Sequence, residues 1–151
     1  MKVCSECNAV FDGRKWRSTP ETDRHGVAVL EKTLCTACKR MRDKVVLGTV
    51  HLDGEVIASR SGEILRMIRH EEEIERARNH TSRILDIHSS GQKMTIRTVN
   101  SLLAIHIAKQ FKQAFKGRID IFKDSPGHRP RSKQDEGTIS VKWMQNPQKQ
   151  D

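Results

Sequence analysis

The sequence predicts an α+β protein in which an N-terminal zinc ribbon precedes a larger, mainly antiparallel sheet with helices on one face. Two Cys-x-x-Cys pairs, several short runs that alternate like strands, and two longer runs with helical periodicity predict this class. A chain of 151 residues can hold one ordinary core and a small metal-stapled module. We therefore expect a zinc-ribbon module over 1–43, an α+β domain over 44–146 and a polar tail over 147–151.

The first module contains all four cysteines, as the pairs Cys4 with Cys7 and Cys35 with Cys38. A polar stretch between the pairs ends in a strand-like run at 27–30. Two short loops of this kind can present four thiolates to one tetrahedral ion, and zinc prefers this donor set. The sequence therefore predicts a structural zinc ion held by the four cysteines, with an iron site or a redox-active dithiol as alternatives.

The α+β domain should begin with a strand at 44–52, which is rich in Val and Leu, and continue into a helix at 62–78. A hairpin with strands at 84–87 and 94–97 should follow, because turn-forming Ser and Gly lie between these runs. Apolar residues make up 35% of the chain and aromatic residues only 4%, so the core must be built mainly from Ile, Val and Leu.

Charged residues of the first long helix balance one another. Five glutamates and five arginines lie within 60–78, and Glu72 precedes Arg76 by four residues, a spacing that favours ion pairs on a helix. We therefore expect these charges to form a solvated, self-paired face.

A second long helix should start at a cap provided by Thr98 or Asn100 and stop near Gly117. Two alternating runs follow, at 118–122 and 138–143, and predict the last two strands. The resulting order, β-α-β-β-α-β-β, fits a split β-α-β sandwich. The apolar stripe of the helix consists of Leu103, Ala104, Ile107, Ala108, Phe111, Ala114 and Phe115.

Catalytic motifs are missing from the sequence. A zinc deaminase needs a His-x-Glu sequence and a proline before the second cysteine pair, yet Leu34 precedes Cys35. His70 and Glu71 begin like a metalloprotease motif, but Ile74 stands where the second histidine is needed. We expect no enzyme activity and no small-molecule substrate.

Positive charge is in excess, with 28 Lys and Arg against 19 Asp and Glu and a net charge of +9. Such a charge attracts polyanions, and nucleic acid is the expected partner. Trp16 lies among three cations and could stack on an unpaired base or pack on the zinc module. Three basic clusters are the candidate RNA contacts: Arg14, Lys15, Trp16 and Arg17; Lys39, Arg40 and Arg42; and Lys123, His128, Arg129, Arg131 and Lys133.

The order of these features resembles the NMD-three family, the large ribosomal subunit export adaptors of eukaryotes and their archaeal counterparts. The resemblance is carried by the cysteine loops, by the sequence from Cys35 to Met41, and by later segments. These segments are 104–108, 115–119, Lys123 and the basic loop that closes at 137–141. The resemblance implies that the chain binds rRNA of the large ribosomal subunit and ribosomal proteins. This chain has four cysteines where the family usually has more, which favours a role in subunit assembly or quality control over nuclear export.

A cytoplasmic location is expected, because the start of the chain has no signal-peptide core and no apolar run is long enough to cross a membrane. In a reducing compartment, paired cysteines are metal ligands more often than disulfides. Two other functions stay open. One is a zinc-ribbon regulator that binds a protein partner or DNA through the helix at 62–78, and the other is a redox sensor that releases zinc on oxidation.

Overall fold

The computed structural model describes residues 2–17, 31–124 and 138–146. Within these residues the chain forms two β-sheets and four helices, which confirms the α+β class. The finer split-sandwich assignment and the domain boundaries stay predictions. The strand expected at 27–30 and the tail at 147–151 lie outside the described residues.

The N-terminal sheet has four short strands in the order β3-β2-β1-β4. They are β1 (Lys2–Cys4), β2 (Val10–Phe11), β3 (Trp16–Arg17) and β4 (Glu31–Thr33). Strand β1 is antiparallel to β2 but parallel to β4, and this places Cys4 opposite Thr33. Because the carboxyl ends of parallel strands lie at the same edge, the two cysteine loops leave the sheet side by side. The second loop leads directly into a helix that was not predicted, α1 (Thr36–Arg42).

The C-terminal sheet has five strands in the order β6-β7-β5-β9-β8. They are β5 (Gly48–Asp53), β6 (Ile84–Ser90), β7 (Lys93–Thr98), β8 (Arg118–Asp124) and β9 (Thr138–Met144). Only β5 and β9 pair in parallel, and the other three neighbouring pairs are antiparallel. The first strand begins at Gly48 rather than at residue 44, because the backbone N–H of Val45 donates to the Arg40 carbonyl at the end of α1.

Three helices cover one face of this sheet: α2 (Glu55–Ser59), α3 (Ser61–Arg78) and α4 (Ser101–Phe115). The short helix α2 was not predicted. Strands β5, β7 and β9 alternate between buried and more exposed residues, as expected for a sheet with one covered face. Val50, Ile96 and Val141 of the three strands share one core with Ile64 and Ile107 of the long helices. Among the described residues, none of the helices combines the length and apolar composition that a membrane crossing requires.

Helix α4 is the central element of this core. Asn100 caps it, because its side-chain oxygen accepts from the Leu103 N–H at 2.9 Å. The predicted stripe is buried from Leu103 to Phe111, and the Phe111 ring lies 4.5 Å from that of Trp143. Gly117 is the last residue of the connection between α4 and β8 and has a φ of 92°. A Cβ added there would lie 2.6 Å from Trp143 Nε1, so only glycine fits.

The expectation of a solvated, self-paired charged face on α3 is wrong at two positions. Glu71 and Glu75 are buried, because α3 and α4 belong to the same packed core and α4 presents His106 toward them. Glu72 does not pair with Arg76 as predicted. It contacts Arg69 at 3.1 Å and accepts a hydrogen bond from the Ile84 N–H at 2.5 Å, which joins α3 to β6.

Candidate metal centre and basic groove

Backbone geometry fixes both cysteine loops. In the first loop, the N–H of Asn8 donates to the Cys4 carbonyl, and Asn8 adopts a φ of 62° that lets the chain turn back. In the second loop, Cys35 is the N-cap of α1, and its sulfur accepts from the Cys38 N–H at 3.3 Å. The Cys35 N–H donates in turn to the Cys4 sulfur at 3.3 Å and ties the loops together.

The four sulfur atoms lie within 4.8 Å of one another, and no disulfide joins them. Cys7 Sγ is 3.7 Å from Cys35 Sγ. A tetrahedral ion with metal–sulfur bonds of about 2.3 Å requires sulfur–sulfur distances of about 3.8 Å. The donor set and its spacing therefore fit one metal ion held by Cys4, Cys7, Cys35 and Cys38.

The thiols differ in how easily they ionise. Burial raises the pKa of Cys4, but N–H groups of Cys7, Cys35 and Glu6 outweigh it and lower that pKa to about 6. For Cys35, burial prevails and raises the pKa well above its ordinary value. Burial also raises the pKa of Cys38, against the opposing effect of a nearby arginine. The buried thiolates therefore need a positive partner, and a bound metal ion would supply it.

That arginine is Arg83, from the connection between α3 and β6. Its side chain reaches into the centre, where Nη1 donates to Cys38 Sγ at 3.1 Å and Nη2 to Cys7 Sγ at 3.4 Å. Only 7% of Arg83 is exposed. Its backbone carbonyl accepts a hydrogen bond from the N–H of Val99, the residue that follows β7. Four thiolates around a divalent ion carry a net charge of −2, so one guanidinium neutralises half of it. Arg83 thus joins the cysteine centre to the second sheet.

His80 lies at the same centre. Its Nε2 atom accepts from Arg83 Nη2 at 2.8 Å and lies 3.3 Å from Cys35 Sγ. Burial, and then the charge of Arg83, lowers the pKa of His80 to about 4, so the ring is neutral near pH 7. A neutral imidazole can accept the arginine hydrogen bond, which holds the guanidinium against the sulfurs.

A groove of about 870 Å³ lies beside this centre, and we call it the basic groove. One wall comes from β2, β3 and their turn, and the other from the end of α3 and the residues after it. Among the described residues, its lining includes five Lys or Arg side chains and no Asp or Glu. The lining residues are Phe11, Arg14, Lys15, Trp16, Arg17, Thr36, Arg76, Ala77, Arg78, Asn79, His80 and Thr81.

The first predicted basic cluster, residues 14–17, lies together in this groove. Trp16 is half-buried, packs against the cysteine cluster, and has its ring 5.4 Å from that of Phe11. Its remaining surface lines the groove. Packing on the metal module is one of the two roles predicted for Trp16. The rest of its ring still presents an aromatic surface among cations.

The second predicted cluster lies on α1. Lys39 and Arg42 are exposed, and Arg42 contacts Asp43 at 3.2 Å. Arg40 instead donates to the Val99 carbonyl at 2.9 Å and forms a second link between the two sheets. None of the three basic residues of this cluster is among the described lining residues of the basic groove.

The third predicted cluster is described only at Lys123, which is exposed on β8. The other members, His128, Arg129, Arg131 and Lys133, lie outside the described residues.

Four residues of these candidate sites were not singled out from the sequence. Arg83 and His80 contact cysteines that lie 45 or more positions earlier in the sequence, and no local motif marks them. Arg76 and Arg78 were assigned to a self-paired helix face. Arg78 does pair with Glu75, at 3.5 Å, and both arginines also line the basic groove. Comparison with known protein families, curated proteins and solved structures found no match to this chain.

We expect Arg83→Met to weaken metal retention by about 10- to 100-fold, because loss of an outer-shell partner typically has this effect. The measurement is transfer of metal from the Zn²⁺-loaded chain to a chromophoric chelator. Arg66→Met is the matched control, because Arg66 is exposed on α3. If the two variants release metal at the same chelator concentration, Arg83 has no part in holding the centre.

Proposed function

We propose that this chain is a non-enzymatic, zinc-containing RNA-binding protein of the cytoplasm that contacts rRNA of the large ribosomal subunit during assembly or quality control. The basic groove is the observation that carries the proposal. Contacts to ribosomal proteins, the zinc-ribbon description of the first module and the split-sandwich description of the second are parts of the same proposal.

The donor chemistry supports zinc as the metal. Four cysteine thiolates occupy all positions of a tetrahedron, and such closed sites are typical of structural zinc. A closed site leaves no position for a substrate or an activated water, which supports a structural and non-enzymatic role. Four unpaired cysteines also suit the reducing cytoplasm.

Charge and shape support RNA as the ligand. Arginine side chains from two separate parts of the chain, such as Arg14 and Arg76, line one groove, and no Asp or Glu is among its described lining residues. Guanidinium groups bind phosphate oxygens with two hydrogen bonds, and an aromatic ring such as Trp16 can stack on an unpaired base. A groove that combines both is typical of sites for single-stranded RNA rather than duplex DNA.

The ribosomal part rests on two supports. One is the resemblance to the NMD-three family described above. The other is the basic segment at 128–133, which follows the exposed Lys123 and adds cations to a chain that already carries a net charge of +9. Polyanion contacts of this kind position a protein on folded rRNA.

A paired substitution tests the groove. We expect Arg14→Gln with Arg76→Gln to weaken binding of a fluorescent single-stranded RNA and to reduce the slope of log K against log salt by about 1.4, or about 0.7 for each phosphate contact removed. Fluorescence anisotropy at several salt concentrations measures both quantities.

The control for this pair is Arg66→Gln with Lys109→Gln, which removes the same charge from exposed positions outside the groove. Equal losses in the two variants would show that overall charge, not the groove, binds RNA. Stronger binding of duplex DNA than of RNA would favour the regulator instead.

A second variant tests the ribosomal contact. We expect Arg129→Ala, Arg131→Ala and Lys133→Ala together to lower co-sedimentation with large ribosomal subunits at moderate salt, because three phosphate contacts are lost. Zinc content should stay unchanged, since the cysteines are elsewhere in the sequence. Unchanged co-sedimentation would remove this segment from the proposed interface and leave the groove as the remaining contact.

A further inference from the structure

A second cluster of metal-ligating side chains lies where α3 meets α4, apart from the cysteines. Glu71 and Glu75 are one helical turn apart on α3 and face the same neighbour, and His106 comes from α4. One carboxylate oxygen of each glutamate and one ring nitrogen of His106 lie within 4.8 Å of one another. A single ion can therefore reach all three side chains.

The burial of this cluster is unusual for its charge. Glu71 is 9% exposed and Glu75 only 3%. Among the described residues, the Glu71 carboxylate makes no hydrogen bond or ion pair. Buried carboxylates almost always have partners, because removing an unpaired charge from water is strongly unfavourable.

The histidine is also incompletely satisfied. His106 Nδ1 is fully buried and has no hydrogen bond in the described part of the chain. It lies 2.6 Å from Glu75 Oε2, so it points at the carboxylate without the alignment of a hydrogen bond. The other cation near Glu75 is Arg78 at 3.5 Å, but its side chain is 73% exposed and screened by water.

The negative charge of this cluster is not fully balanced by its neighbours. Burial, and then the negative charge of Glu75, raises the pKa of Glu71. The two carboxylates therefore repel each other, and the neighbouring side chains of His106, His70 and Arg78 offset only part of this effect. A divalent cation between the three side chains would remove the repulsion and give the buried His106 nitrogen a ligand bond.

We propose that Glu71, Glu75 and His106 form a second metal site, for a divalent transition metal such as Mn²⁺, Fe²⁺ or Zn²⁺. Two carboxylates and one imidazole are ligands of intermediate hardness, which suit these ions and differ from the soft thiolate set of the first centre. Water can complete the coordination, because 30% of the His106 side chain is exposed. The ion would cross-link α3 to α4 at the surface of the core.

The experiment uses the full chain with its cysteine centre already filled with Zn²⁺. Mn²⁺ is then added and the free ion is followed by electron paramagnetic resonance, because Mn²⁺ competes poorly for thiolates. We expect one further Mn²⁺ to bind per chain and to raise the melting temperature, since a ligand that binds only the native state stabilises it. A second equivalent of Zn²⁺, followed by calorimetry, should bind at the same place.

Two substitutions make the test specific. Glu71→Gln keeps the shape of the side chain but removes a charged ligand, and it should abolish both the binding and the rise in melting temperature. Glu73→Gln is the matched control, because Glu73 is exposed on the same helix, and it should bind like the wild type. Circular dichroism confirms that each variant is folded.

The main competing explanation is a proton rather than a metal. If one glutamate stays protonated and shares its proton with the other, neither Mn²⁺ nor Zn²⁺ will bind beyond the first centre. In that case, Glu71→Gln will melt at or above the wild-type temperature with and without metal. Either this result, or equal metal binding by Glu71→Gln and Glu73→Gln, overturns the proposal.

Discussion

The close approach of four cysteine sulfurs to one another and to one guanidinium is the interaction on which the rest of this structure depends. The sulfurs converge because parallel strands β1 and β4 deliver both loops to one edge of a sheet. As thiolates they would carry a charge that a metal ion and Arg83 can balance, and Arg83 is itself buried and anchored through its backbone to the end of β7. A small module with two- and three-residue strands has little core of its own. Metal binding at the four cysteines would therefore be coupled to packing against the second sheet.

The basic groove depends on this contact between the cysteine module and the second sheet. One wall belongs to the cysteine module and the other to the end of α3, so the groove exists only while the two parts are held together. Trp16 packs on the cysteine cluster and also lines the groove, and His80 contacts Cys35 and lines the groove as well. The chemistry that stabilises the module thereby fixes the position of the surface that we propose for RNA.

Local patterns in the sequence were sufficient for most of the fold. The two long helices, the hairpin and the last two strands lie close to where periodicity placed them, because each is determined by its own apolar spacing. The four cysteines come together as their spacing predicted. Contacts between distant segments were not predictable in this way. The pairing of Arg83 with the sulfurs, and the burial of Glu71 against α4, depend on tertiary packing that leaves no mark on neighbouring residues.

The most direct test is elemental analysis of freshly purified protein, combined with X-ray absorption at the metal edge. We predict one tightly held zinc ion with four sulfur ligands at about 2.3 Å. The geometry makes this a sharp test, because His80 Nε2 lies 3.3 Å from Cys35 Sγ and is near enough to compete as a ligand. Protein with no tightly held metal, or with a nitrogen ligand in place of one sulfur, would contradict the proposed metal centre of four thiolates.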